Sequence, residues 1–244
     1  MTSLRTLAVA CAPLAFALAI APVAEAQGRP TPVRPVTFVA SAQPGGTLVL
    51  PLRSATDLES RAGLLDAASR AMIARALEQG GFGYGPRDVQ TLRGFEAFDR
   101  VVIVGLGDDA LSAQTAGRAV GRALATVDGP VTLMATGLED TAVAELATGF
   151  GMGGYRSDLY NTTRAATVVT PLTVVSDAAE AEAAYRRGAA LVEGLAFSRD
   201  LANEPANVIY PETFVERTRA AFQGIRGVEI TVLDEREMER MGMG

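Results

Sequence analysis

Short apolar runs and helix-spaced apolar stripes take turns along this chain from residue 36 to about residue 176. Residues 36–40 and 47–52 are rich in Val, Phe, Thr and Leu, and the Pro44-Gly45-Gly46 step between them predicts a hairpin turn. Leu65, Ala68, Met72 and Ala76 recur at helical spacing and predict a helix stopped by Gly80-Gly81. Arg100 opens a continuous apolar run to residue 104, the pattern of a strand covered on both faces. An Ala-rich helix over 113–127, a buried-type strand over 131–135 and a helix over 141–150 follow. Residues 168–175 are strand-like, with Pro171 favouring an edge or a bulge.

This βαβα alternation predicts a three-layer α/β/α domain around a mixed sheet, covering residues 36–176. A long helical stretch follows over 177–203, with Asp177 placed to cap it and Glu180 three residues on, where a capping-box partner belongs. A helix of about twenty residues spans roughly 30 Å, enough to bridge two domains. Pro205 drives Glu204 out of helical backbone, so the helix ends by Asn203. Pro211 suits the first turn of a further helix ending near Gly224, residues 228–233 have a strand pattern, and Asp234 caps a short helix.

Ahead of residue 36 the pattern changes. Arg5, an apolar stretch over 7–23 and Ala24-Glu25-Ala26 before Gln27 match a cleaved secretory leader over 1–26. Pro13 and Pro22 interrupt the apolar run, which is short for a membrane span, and Cys11 falls too early for a lipoprotein signal. The expected product is exported, periplasmic or secreted, without a membrane partner once the leader is removed. Cys11 is the only cysteine, so that product has no disulfide. Residues 27–35, rich in Pro and Arg, predict an extended linker.

Composition removes whole chemistries. With 48% hydrophobic residues the chain can build a core, and its net charge of −6 argues against a large nucleic-acid footprint. All 22 basic residues are Arg, and there is no His. An imidazole base, a lysine Schiff base, a Walker lysine and a histidine-held metal are therefore excluded.

Four constellations remain. Gly105-Leu106-Gly107-Asp108-Asp109 follows a strand and precedes a helix, the place of a phosphate cradle. Ala110 occupies the position of the third glycine, so a tight strand-to-helix turn accounts for it equally. The segment from Phe150 to Tyr160 joins a glycine cluster to Tyr155, Arg156, Asp158 and Tyr160; it suits either an anion-clamping loop or the close-packed end of a helix filled by its tyrosines. The acidic run 234–239 could hold only a hard cation on oxygen ligands, and it equally fits a helix N-terminus. In Asn203-Glu204-Pro205-Ala206-Asn207 the asparagines can bond nearby backbone at a hinge.

The segment Arg199-Asp200-Leu201-Ala202-Asn203-Glu204-Pro205-Ala206-Asn207, followed by Tyr210-Pro211 and by Met241-Gly242-Met243-Gly244, resembles the junction between the two domains of the M17 leucyl aminopeptidase family. Two further blocks fit that resemblance, Arg100 to Asp109 and the G-x-Y-x-x-D-x-Y pattern at Gly153 or Gly154, Tyr155, Asp158 and Tyr160. The resemblance implies an N-terminal domain, a linker helix over 177–203 and, over 204–244, the truncated start of a catalytic peptidase domain. It also implies a two-metal exopeptidase, using Zn or Mn, that removes N-terminal residues from peptides and assembles as a hexamer. The family's lysine-bearing metal motif and its N-T-D-A-E-G-R signature have no counterpart in this chain. No catalytic, cofactor-binding or metal residue is therefore assigned to it, and the chain alone is expected to be inactive. Two other readings stand beside this one. The domain resembles macro domains, so Gly105-Leu106-Gly107 could serve a stand-alone nucleotide-binding module, or the chain could be a non-catalytic assembly subunit.

Overall fold

Among the described residues, six strands form one sheet in the order β1-β6-β5-β2-β4-β3. They are β1 (Val36–Val39), β2 (Thr47–Leu52), β3 (Val89–Leu92), β4 (Arg100–Gly105), β5 (Val131–Met134) and β6 (Leu172–Val175). All neighbours run parallel except β3, which lies antiparallel to β4 at one edge. The computed structural model describes residues 31–108, 112–157, 159–160 and 170–243. The leader with Cys11, together with Asp109, Ala110, Asp158, residues 168–169 and Gly244, lies outside them.

Strand alternation sorts the core into two layers. Leu48, Leu50 and Leu52 of β2 and Val101 and Ile103 of β4 face α1 (Asp57–Arg61) and α2 (Ala67–Gln79), joining Leu58, Ile73 and Leu77. Val49, Val102, Val104, Val131, Leu133, Leu172 and Val174 face the other way, towards α3 (Ser112–Ala123) and α4 (Asp140–Gly153). A helix layer on each side of the sheet makes the three-layer α/β/α arrangement with a mixed sheet. Three more helices follow: α5 (Ala181–Asn203), α6 (Pro211–Phe222) and α7 (Glu235–Arg240). No helix among the described residues is long and apolar enough to cross a membrane.

Several local expectations need correction. The Pro44-Gly45-Gly46 turn does not make a hairpin: β1 pairs with β6 at the sheet edge, while β2 lies between β4 and β5. A turn sequence fixes a reversal, but pairing goes to the strands that bury the most surface, and Leu48, Val49 and Leu50 are wholly buried at the centre. In α2 the buried residues are Ile73 and Leu77, one position on from the expected stripe, and Met72 is 38% exposed. Asp177 does not cap α5; its carboxylate accepts from the Gly137 amide at 2.8 Å, and the N-cap position is Glu180, which makes no side-chain cap. Residues 228–233 form no strand, since no described strand lies alongside to complete a ladder, and Val228 and Val232 stay exposed. The strand β3 and the short helix α1 were not anticipated.

Helices α3, α4 and α5 approach through glycine. A Cβ on Gly117 or Gly121 of α3 would overlap the backbone of Leu146 or Phe150 in α4. One on Gly149 or Gly153 would overlap the backbone of Gln114 or Arg118 in return. On its far side α4 meets α5 at Gly151, where a Cβ would lie 2.8 Å from Val192, and at Gly188 of α5, which rests on Thr148. Thus α4 is buried around most of its circumference, between the sheet, α3 and α5.

Two glycine substitutions should therefore have opposite signs. Gly194→Ala, at an open position of α5, removes backbone freedom without a clash and should stabilise by up to about 1 kcal/mol. Gly149→Ala gains the same propensity but drives a methyl into backbone, which cannot yield as a side chain can. It should lose roughly 2 kcal/mol net, read from the midpoint of urea unfolding.

Candidate functional site

The last turn of α5 carries Arg199, Asp200 and Asn203, and Glu204 follows immediately. Asp200 and Glu204 are one helical turn apart and so project from the same face. Both are buried, at 9% and 7% exposure, which demands donors for their oxygens. Asp200 accepts from the amide and hydroxyl of Thr31 at 2.8 and 2.5 Å and from the phenol of Tyr155 at 2.9 Å. Asn203 donates to that same phenolic oxygen at 2.9 Å. Arg199 lies over the Tyr155 ring, 5.2 Å from its centroid, and donates to the Met152 carbonyl at 2.8 Å.

One turn on, the enclosed carboxylate of Glu204 accepts from Arg217 of α6 at 2.6 Å and from the hydroxyl of Tyr160. The hydrogen bond to Glu204 raises the Tyr160 phenol above its ordinary pKa, since ionisation would set a second anion beside the first. The chain just before the sheet, the segment after α4, the end of α5 and the middle of α6 all converge on these two carboxylates. Each of the two carboxylates thus meets donors from within the chain.

The tyrosines thus do more than fill gaps: their hydroxyls satisfy the two acids. Asn203 bonds a side chain and not nearby backbone. Thr31 escapes sequence reading because it lies 169 residues from Asp200, and Arg217 because the chain breaks between Glu204 and α6, so their 13-residue spacing follows no helical period. The only signal is the spacing of Asp200 and Glu204 on a single helix face.

Residues 31–35 are extended but not loose. Arg34 donates to the Val127 carbonyl at 2.7 Å and to the carbonyl and hydroxyl oxygens of Thr170, both at 2.9 Å. Burial lowers its pKa, with Asp128 acting in the opposite direction. Beneath this strap a cleft of about 60 Å³ lies between Phe150, Tyr155 and Val192. That is space for a few waters, well short of a ligand site.

The glycine turn at 105–107 is spent on structure. The amide of Gly105 donates to Asp88 O at 3.0 Å, that of Leu106 to Leu52 O at 2.9 Å and that of Gly107 to Tyr84 O at 3.0 Å. Gly107 has φ +61°, and a Cβ on Gly105 would overlap the backbone of Tyr84 and Gly85. A phosphate would find no free amide among these three. The crevice where strand order reverses, between the carboxyl ends of β2 and β5, is the usual ligand position of such sheets. Here Arg61 fills it, donating to Pro51 O at 2.6 Å, to Thr136 O at 3.3 Å and to Asp57 at 2.7 Å. Pro51 sits beyond the last β2–β5 pair, Val49 with Leu133, so its missing N–H leaves no ladder bond broken.

No three groups among His, Cys, Asp and Glu come together among the described residues. The acidic run makes a capping box instead: Glu237 donates its amide to Asp234 at 2.8 Å, and its carboxylate accepts from the Asp234 amide at 3.0 Å.

Comparison with known proteins bears on the same junction. The family description "Cytosol aminopeptidase family, N-terminal domain" matches residues 49–164, and "Cytosol aminopeptidase family, catalytic domain" matches residues 196–244. A probable cytosol aminopeptidase of Dinoroseobacter shibae is 35% identical over 186 residues, covering 74% of this chain and 37% of the relative. One from Sinorhizobium fredii is 32% identical over 225 residues, covering 85% of this chain and 44% of the relative. The chain thus spans less than half the length of these relatives. A mutant of tomato leucine aminopeptidase superposes with a TM-score of 0.66 at 18% identity, over 89% of this chain and 48% of that one. The bottromycin maturation enzyme BotP in complex with Mn gives 0.54 at 24% identity, over 82% and 40%. These likenesses show a shared fold. With both family descriptions matched in order and the second beginning inside α5, the chain belongs to the cytosol aminopeptidase family, of which it carries the N-terminal region.

Proposed function

We propose that this chain is the amino-terminal part of an exported aminopeptidase, whose role is to hold the junction from which the catalytic domain is built. The observation that carries this reading is the pair Asp200 and Glu204. One acid fastens the sheet domain's own strap and tyrosine, and the other fastens the first helix beyond the linker. In the full enzyme the resemblance supports peptide substrates, two divalent metals bound by the catalytic domain, and a homo-oligomer, hexameric in the family. This chain contributes placement, not chemistry: its buried acids already have donors, and it holds neither lysine nor histidine. The Arg5, apolar and Ala24-Glu25-Ala26 pattern supports export.

Three measurements follow from this reading. The purified chain should release no product from leucine anilides above blank, with or without added Mn or Zn; metal-dependent turnover that survives removal of contaminating peptidases would overturn its inactivity. Expressed with its leader in a secreting host, the chain should show an intact mass beginning at Gln27, and a mature product retaining Cys11 would refute export by this leader. The two acids should also separate by scale. Asp200→Ala removes the buried carboxylate, leaves its three donors without that acceptor and should cost roughly 3 kcal/mol of global stability. Glu204→Ala should leave the melting temperature nearly unchanged, because α6 and α7 bury no residue, while hydrogen exchange in α6 speeds up about tenfold or more.

A further inference from the structure

A second recess lies on the outer side of the helix layer, away from the junction. It is an open recess of about 330 Å³ between α4 and α5, at the small end of the range for small-molecule sites. Its floor is low because Gly188 of α5 sits directly on Thr148 of α4, with Ala144 one turn before. The Thr148 hydroxyl donates its proton to the Ala144 carbonyl at 2.8 Å. Leu191, 51% exposed, forms an apolar wall.

Two charged groups of opposite sign line this recess, Glu145 from α4 and Arg187 from α5. Neither makes a hydrogen bond or ion pair with any other described residue, and they do not pair with each other. A carboxylate and a guanidinium lining one recess, both unspent, beside the apolar side chains of Ala144 and Leu191, make a complementary set for a small molecule carrying both charges. We propose that the recess binds a free α-amino acid as its zwitterion, with the ammonium on Glu145, the carboxylate on Arg187 and an aliphatic side chain against Leu191 and Ala144. A guanidinium can take the carboxylate through two parallel bonds, which fixes orientation as well as charge. The recess lies outside the junction, so binding there is a property of this chain whether or not the aminopeptidase reading holds.

The test is titration calorimetry of the full chain with L-leucine, alongside a thermal melt. A single site with roughly millimolar Kd is expected, given a shallow recess and two solvent-reachable ion pairs. At ten times Kd the melting temperature should rise by about 3 °C. Leucinamide, which lacks the carboxylate, and isocaproate, which lacks the amine, should each bind at least tenfold more weakly. Glu145→Gln, at a half-buried position, and Arg187→Gln, at an exposed one, keep the side-chain size, should fold normally and should each weaken leucine at least tenfold. The proposal fails if leucine gives no saturable heat at tens of millimolar. It fails equally if leucinamide or isocaproate binds as well as leucine, or if both variants keep the affinity of the unsubstituted chain.

Discussion

Everything in the larger layer of this protein rests on backbone meeting backbone where α3 crosses α4. Gly117 and Gly121 on one helix and Gly149 and Gly153 on the other leave no side chain between the two rods. Close approach brings many weak dispersion contacts into range at once and costs no side-chain entropy, since glycine has none to lose. It carries a penalty in helix propensity, about 1 kcal/mol for each glycine against alanine, which the packing has to offset. In return α4 sinks deep enough for α5 to lie over it, through Gly151 and Gly188. The end of α5, and with it the acid pair, is placed by this stacking.

The sheet's interior was legible because its signals are redundant. The run from Arg100 to Val104 is too short and too uniformly apolar for anything but a strand covered on both sides, and both sides are covered. Pro205 and Pro211 fixed the end of α5 and the start of α6 through covalent geometry alone, which tertiary contacts rarely override. Pairing partners were not legible. The reversal at Pro44-Gly45-Gly46 is local information, whereas the placement of β1 against β6 depends on strands more than a hundred residues apart. Capping failed at Asp177 for a related reason: its carboxylate had two amides to choose from, and the one at Gly137 belongs to another loop.

At the junction, the sequence pointed to the right segment and to only part of its physics. The motif around Arg199 to Asn207 resembled a family junction, and the catalytic-domain description of that family covers it, over residues 196–244. What could not be read was why such a boundary would carry buried acids. Each acid is a demand for donors that only distant parts of the chain can meet, so it recruits Thr31 and Tyr155 in one case and Tyr160 and Arg217 in the other. Apolar residues would have buried as well, but they accept any neighbour of suitable shape, whereas a carboxylate rejects all but a donor. The committed amides at Gly105 to Gly107 and the guanidinium of Arg61 make the complementary point. The three amides of Gly105 to Gly107 and the guanidinium beside Pro51 already have partners among the described residues.

The helix α5 is a rod of 23 residues, gripped along one side by α4 and ending in two acids one turn apart. Successive residues on such a rod are rotated by about 100°, so its azimuth cannot drift by small amounts. A slip of one residue would swing both carboxylates away from every donor together and turn Gly188 off its seat on Thr148. The linker therefore behaves as an indexed shaft, with discrete settings of which only one is bonded. Whatever is attached beyond Asn203 inherits its angular position about the sheet domain from a glycine notch some four turns upstream.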